Sequence, residues 1–251
     1  MKTEISENSC PRRAAHALVR RVVLVSLLAT TTAGAVPLTF FGEDLGPLRK
    51  GDPLPNAAAA EAAFLGHLVG VGTEDFEAIA VGTSSPLVLT FGAAGTATLS
   101  GDGTLRNDAP TSPEGRFPVS GDRYWGNVRS ANFSIAFSDP IAAFGFYATD
   151  AGDFRGQLTL TLQDGSSTVV TIPNTVNAPN ASAIYFGYID TARPFVGIQF
   201  GSTSDVDFFG FDDMTIGTTR QVMPIADRGS AAAALAFAVA GLSVARRRWN
   251  A

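Results

Sequence analysis

The sequence predicts an all-β chain: an antiparallel β-sandwich of jelly-roll type, with one short helix before it and a hydrophobic helix at its C-terminus. Three observations carry that expectation. From Phe76 to Ile216 the chain is a succession of short apolar or alternating runs, broken by Gly, Asp, Pro and Ser turns. Only one earlier segment, Ala57 to Leu68, has strong helix formers and no proline. No period of about 20–50 residues recurs, which sets aside solenoids and propellers.

The elements follow in order. Arg12, Arg13, Arg20 and Arg21 precede an apolar run from Val22 to Ala29, and Ala33-Gly34-Ala35 supplies a small-x-small cleavage pattern. Residues 1–35 therefore read as a secretory signal peptide, with signal peptidase cutting before Val36. Residues 36–75 are punctuated by Pro37, Pro47, Pro53 and Pro55 and read as extended chain and turns, then the short helix. Asn56 fits its N-cap, and Phe64, Leu65 and Leu68 share one face, expected to pack across one end of the sandwich.

The sandwich is expected over 76–222. Its candidate strands are Phe76–Val81, Leu87–Phe91, Thr96–Leu99, Asn132–Phe137, Ala142–Ala148, Gln157–Leu162, Thr168–Ile172, Ala183–Ile189, Phe195–Phe200 and Val206–Ile216. Leu158, Leu160 and Leu162 alternate with threonines, and Gln163-Asp164-Gly165-Ser166 turns that strand into STVVTI as a hairpin. The proline-rich stretch from Gly101 to Tyr124 reads as a long loop.

Charge and residue inventory exclude several functions. Val36 to Val222 holds 9 basic and 20 acidic residues, a net charge of −11. So acidic a domain repels nucleic acid and anionic lipid, and suits divalent cations or basic partners. Cys10 is the only cysteine and His67 the only histidine after the signal peptide, so a Cys/His zinc site cannot be built. A Ser-His-Asp triad would need His67, which sits in an Ala/Leu/Gly segment outside any nucleophile motif. Glycoside hydrolysis needs two acids at a set separation, and no motif selects a pair. A non-enzyme is expected.

The tail, 223–251, has three parts: a polar spacer with Pro224 and Gly229, an uncharged run from Ser230 to Ala245, then Arg246, Arg247 and Arg248. The run of 16 residues reaches about 24 Å as a helix, short of a roughly 30 Å hydrocarbon core. Arginine snorkelling and bilayer thinning let it span, and the arginines hold that end on the cytoplasmic side. Spacer, short apolar helix and terminal arginine cluster resemble the PEP-CTERM sorting signal, as a variant in which Met223-Pro224-Ile225-Ala226-Asp227 stands where the family reads Pro-Glu-Pro. FFGEDLGP (40–47), VGTEDFEAIAVG (71–82), AAFGFYATDAGDFRGQLTLTLQDGS (142–166), IYFGYIDTARPFVGIQFG (184–201) and DFFGFDDMTIG (207–217) resemble segments of exported proteins with that signal. The resemblance implies an exosortase-like processing enzyme, transient inner-membrane anchoring through the tail, and delivery to the cell surface or extracellular matrix.

Two constellations are candidates for chemistry. Glu77 follows an aromatic in the first expected strand, and Asp212-Asp213 lie in the last. That arrangement resembles jelly-roll modules in which such acids bind a structural Ca²⁺, and hard carboxylate oxygens suit that ion. Phe209 and Phe211 are out of phase with Met214 and Ile216, which places a bulge at Asp212-Asp213. The other reading is a solvated acidic turn, or carboxylates accepting backbone N–H bonds at a strand end. Arg123-Tyr124-Trp125-Gly126-Asn127 is the second candidate: Tyr124 and Trp125 are either a glycan platform or a plug at one end of the sandwich. Asp150 and Asp153, near Arg155, form a further acidic loop. The expected role is an exported structural or adhesive protein of the cell surface or matrix. The alternative is a carbohydrate-binding, lectin-like module for exopolysaccharide.

Overall fold

The computed structural model describes residues 36–108, 115–126, 132–150, 156–201 and 208–224. The strands are β1 (Leu38–Asp44), β2 (Thr73–Glu74), β3 (Leu87–Thr90), β4 (Thr96–Ser100), β5 (Thr104–Arg106), β6 (Tyr124–Gly126) and β7 (Ser134–Ile141). After them come β8 (Ala143–Thr149), β9 (Gln157–Leu162), β10 (Ser167–Thr171), β11 (Ala183–Ile189), β12 (Phe195–Gly201) and β13 (Gly210–Gly217). One helix, α1 (Pro55–Leu65), lies between β1 and β2.

The strands form two antiparallel sheets. One runs β1-β11-β8-β13-β6-β5, with β2 also on β13; the other runs β10-β9-β12-β7-β4-β3. From β7 onward the chain passes repeatedly from one sheet to the other, as a jelly-roll sandwich requires. Between the sheets lies a phenylalanine-rich core. Phe146 stacks on Phe211 at 5.1 Å and meets Phe200 edge-on at 5.4 Å. Aromatic pairs prefer these offset and T-shaped geometries because of the ring quadrupole.

Several details depart from the sequence expectation. Leu38–Asp44, expected as extended chain outside the sandwich, is an edge strand of it, so the sandwich begins well before Phe76. Its alternation explains why: Phe41 packs into the central core and Phe40 on the opposite face. Helix α1 starts at Pro55, because proline's fixed φ and missing N–H suit the first helical position. Asn56 is therefore inside the first turn rather than the cap. The orphan N–H groups of Asn56 and Ala57 donate instead to the carboxylate of Asp44, at 3.2 and 2.9 Å. Phe76 to Val81 forms no strand: Phe76 takes a left-handed φ of 60° and drops its buried ring into the core from a turn. Part of the long loop is structured as β5 and β6.

The helix also lies elsewhere than expected. It covers the outer face of the first sheet, not an end of the sandwich. Phe64 sits over Gly145 of β8 and Gly187 of β11, and a Cβ at either would come within 2.8 or 2.7 Å of its ring. Glycine in both strands therefore permits the close approach. Leu68 pairs with Val222, and Met223 N–H donates to the His67 carbonyl at 2.8 Å, so the last described residues are tied to the helix end. His67 packs beside Phe40, a structural position. Pro224 is exposed. The signal peptide and the tail from 225 on, with Arg246, Arg247 and Arg248, lie outside the described residues. No helix among the described residues is long and apolar enough to cross a membrane.

Candidate functional site

Tyr124 and Trp125 do not form a glycan platform, which corrects that expectation. They lie in β6 with 1% and 0% of their surface exposed, and Trp125 belongs to the central core. The indole packs against the backbone of Gly103, and its N–H has no partner among the described residues. Burial pushes the Tyr124 hydroxyl up to about 12, and the neighbouring Asp108, to which it donates at 3.3 Å, acts in the same direction. Trp125 is thus the plug of the alternative reading: an apolar body of that size is worth more inside the sandwich than on water.

The candidate acids converge on one segment, residues 119–123. Asp212 Oδ2 accepts the N–H groups of Val119 and Ser120 at 2.8 and 3.3 Å, while its Oδ1 accepts that of Asp213. Asp213 Oδ1 accepts the Ser120 hydroxyl at 2.7 Å. Glu77 Oε1 accepts the N–H groups of Asp122 and Arg123, both at 2.6 Å. Arg123 in turn donates to the carbonyls of Glu77 and Ile79. The expected bulge is present: β13 shifts register against β8 between Asp212 and Thr215, and Asp213 takes a φ of +46°. That kink aims both carboxylates at the segment instead of along the sheet.

These acids are clamps as described. Among the described residues no group of three His, Cys, Asp or Glu side chains could hold a metal ion. A calcium ion here would share these carboxylates with the N–H donors on Glu77 and Asp212. Burial, then the charge of Asp213, raises Asp212 well above the usual carboxylate range. Burial raises Asp213 to about 6, with Glu61, Asp75 and Glu77 adding to it against the Ser120 hydrogen bond. Asp150 accepts the Ala181 N–H at 3.2 Å, as a turn residue does; Asp153 and Arg155 lie outside the described residues.

With 119–123 and α1 in place, the first sheet is covered on both sides. Every residue of β8, β11 and β13 is buried. The second sheet is different. Its strands alternate buried and accessible residues, as in β9, where Leu158, Leu160 and Leu162 are buried and Gln157, Thr159 and Thr161 are accessible, so one face meets the core and the other meets solvent.

That open face is the surface the sequence reading missed. Register sets its residues in rows across the strands. One runs Val88, Thr98, Ala136, Gly197, Thr161, Ser167; the next runs Ser100, Ser134, Gln199, Thr159, Val169. Gln157 and Thr171 continue it beyond Gly201. No position in these rows carries a charge or an aromatic ring. The side chains of Thr98, Thr159, Thr161 and Thr171 make no hydrogen bond among the described residues, so their hydroxyls are open to a ligand. Gln199 is held by the carbonyls of Phe133 and Phe200, at 3.0 and 2.9 Å. Six strands of about five residues, at about 4.8 Å between strands and 3.4 Å per residue, span roughly 500 Å². The signal was present in LVLT, TATLS and QLTLTL, where every second residue is uncharged and most of these are hydroxylated.

No known protein family and no curated protein matches this chain. Solved structures share a similar layout of strands. The K2 cleaved adhesin domain of Lys-gingipain has 14% identity over 59% of this chain and 98% of its own, with a TM-score of 0.38. The C-terminal family 22 carbohydrate-binding module of Clostridium thermocellum Xyn10B has 14% identity over 62% and 97%, with a TM-score of 0.37. TmCBM61, solved with β-1,4-galactotriose, has 14% identity over 57% and 94%, with a TM-score of 0.28.

Proposed function

We propose that this chain is an exported, non-catalytic binding module of the cell surface or extracellular matrix, and that the open face of its second sheet docks on neutral polysaccharide. The observation that carries the reading is the row structure of that face: uncharged along the rows, and furnished with threonine hydroxyls that make no hydrogen bond among the described residues. A neutral polysaccharide presents hydroxyl donors and acceptors in quantity and no charge. Side-chain hydroxyls and amides can satisfy both roles, since each Ser or Thr hydroxyl donates once and accepts twice. The small side chains between them allow a chain to lie close to the sheet. With no ring in these rows, affinity comes from many weak polar contacts, which suits adhesion to a polymer better than capture of a single sugar. The domain's net charge of −11 keeps it off anionic polymers everywhere but adds no repulsion here.

Delivery follows from the terminal resemblances. The signal peptide exports the chain, the tail anchors it briefly in the inner membrane, and an exosortase-like enzyme releases it. Mass spectrometry of surface-released protein should find a start near Val36 and an end near Pro224; a product still carrying Ala231 to Arg248 overturns release.

The binding reading is tested by co-sedimentation with insoluble neutral polysaccharides, and with an anionic one for contrast. Thr159→Arg with Thr161→Arg should abolish binding to the neutral polymer without lowering the melting temperature by more than a few degrees. Unchanged binding in that variant, or no binding by the wild type to any neutral polymer, rejects the open face as the site.

A further inference from the structure

A second surface of the same sheet points to a partner of its own. β10 is the edge strand, paired with β9 on one side only. The register fixes which of its backbone groups are used. Leu162 N–H donates to the Ser166 carbonyl and Ile172 N–H to the Gly156 carbonyl, so the even-numbered residues of β10 face β9. The N–H and C=O groups of Ser167, Val169 and Thr171 therefore point outward, with no ladder partner among the described residues.

The other edges are treated differently. β5 is capped by the stretch before β3: Leu105 N–H donates to the Thr83 carbonyl, and Gly82 N–H to the Leu105 carbonyl. β1 runs beside α1. β3 is short and directly follows Pro86. β10 has none of the usual protections of an edge, for it contains no charge, no proline and no bulge. Val169, at its centre, is 56% exposed.

We infer that β10 pairs with β10 of a second copy of this chain, antiparallel about a two-fold axis through Val169. The strand is self-complementary in that arrangement. Val169 faces its own counterpart, Ser167 faces Thr171, and the outward groups close about six hydrogen bonds. The charge pattern fits a like copy. In a domain of net charge −11, the paired stretch is neutral. Continuing the register sets Asp164, in the turn before β10, opposite the neutral Asn174 of the other copy instead of another acid. The two second sheets become one sheet of twice the width, and their open faces become one surface. The dimer does not depend on what that surface binds.

The experiment uses the full chain in mild detergent, with Cys10→Ser as background. Analytical ultracentrifugation should give a concentration-dependent dimer, lost in Val169→Pro, a change an edge strand tolerates. Val169→Cys should form an intermolecular disulfide under gentle oxidation. Residues in a hydrogen-bonded antiparallel pair have Cα atoms about 5.5 Å apart, within disulfide reach. Thr159→Cys, on the same face one strand inward, should not cross-link. If Val169→Pro lowers the melting temperature, Val169→Lys replaces it, since a charge on the two-fold axis meets itself. A monomer at every concentration overturns the pairing. So does a dimer that survives both substitutions, as tail-driven association would, or equal cross-linking at Thr159→Cys. These readouts are mass and disulfide formation, so loss of polysaccharide binding bears only on the other proposal.

Discussion

The two sheets of this sandwich share a core but not a fate. Strands β8 and β11, AFGFYAT and AIYFGYI, put aromatic or aliphatic residues on both faces and are buried throughout. Strand β9, QLTLTL, commits only every second residue to the core. The first sheet is accordingly covered by α1 and the 119–123 segment, and the second is left open. An antiparallel sheet can do either, and the sequence period decides which. The lesson concerns where function can sit. A face buried under its own chain contributes stability, and only an open one can contribute binding. Breaking the covered sheet should therefore cost folding, whereas altering the open one should cost ligand.

The largest effect belongs to the covering helix. Phe64 is fully buried, with ring contacts to Phe40 at 5.7 Å and Tyr185 at 5.9 Å. Phe64→Ala empties the space above Gly145 and Gly187, which have no side chains to collapse into it. Denaturant unfolding should show a loss of about 3–5 kcal/mol. Thr161→Ala, on the open sheet, should change stability by no more than about 0.5 kcal/mol. Equal losses would mean that the open face is covered in the intact protein, and the contrast between the sheets would fail.

The next effect is on pH. Asp213 is raised from 3.8 to about 6 in the folded chain, by burial first. Between these values the folded state holds a proton that the unfolded chain releases, so the linkage makes stability fall as pH rises from about 4 to 6. Asp212 moves in the same direction. A shift of that size corresponds to about 2–3 kcal/mol for Asp213, and Asp213→Asn should flatten the slope. Thermal melts across the window measure this. The same melts address calcium, because an ion between these carboxylates would favour their charged forms and oppose the slope. Stabilisation by Ca²⁺ beyond that of ionic-strength-matched NaCl, absent in Glu77→Gln and Asp212→Asn, assigns an ion there. An equal response in all three leaves the acids as clamps of 119–123.

Much of the architecture was legible because core strands advertise their period. The alternation of Leu158, Leu160 and Leu162, and the phase change around Asp212-Asp213, both have direct counterparts in the structure. What was not legible depends on partners distant in sequence. Phe76 is apolar in either setting, and nothing local distinguishes a strand from a turn that lowers one ring into the core. Asn56 suits a cap by type, but Pro55 precedes it and Asp44 takes over the capping from another element. Trp125 is as compatible with an exposed platform as with a plug until Gly103 is seen beneath its indole. The open face was missed for another reason. Charges and rings are the side chains that stand out in a sequence, and this face is a set of positions with neither.

The smallest effects should appear on that face one residue at a time. A hydroxyl that meets a polysaccharide exchanges one hydrogen bond with water for one with the ligand, a net gain of about 0.5–1.5 kcal/mol. Thr98→Ala, Thr159→Ala and Thr161→Ala should therefore each weaken binding about 2–10-fold. None should alter the melting temperature by more than a degree or two, because these side chains make no hydrogen bond among the described residues. Thr98 lies on β4 and the other two on β9, with β7 and β12 between them. A polymer lying along the rows, across the strands, would touch all three, and the losses should then add in free energy, as expected for separated sites sharing one ligand. A polymer lying along a single strand would touch Thr159 and Thr161 but not Thr98. Affinity electrophoresis in gels containing the soluble form of the polymer resolves shifts of this size, and the pattern of losses gives the direction in which the chain lies. If all three substitutions leave mobility unchanged while Thr159→Arg with Thr161→Arg abolishes binding, the face is only near the ligand, and the hydroxyl rows are not what holds it.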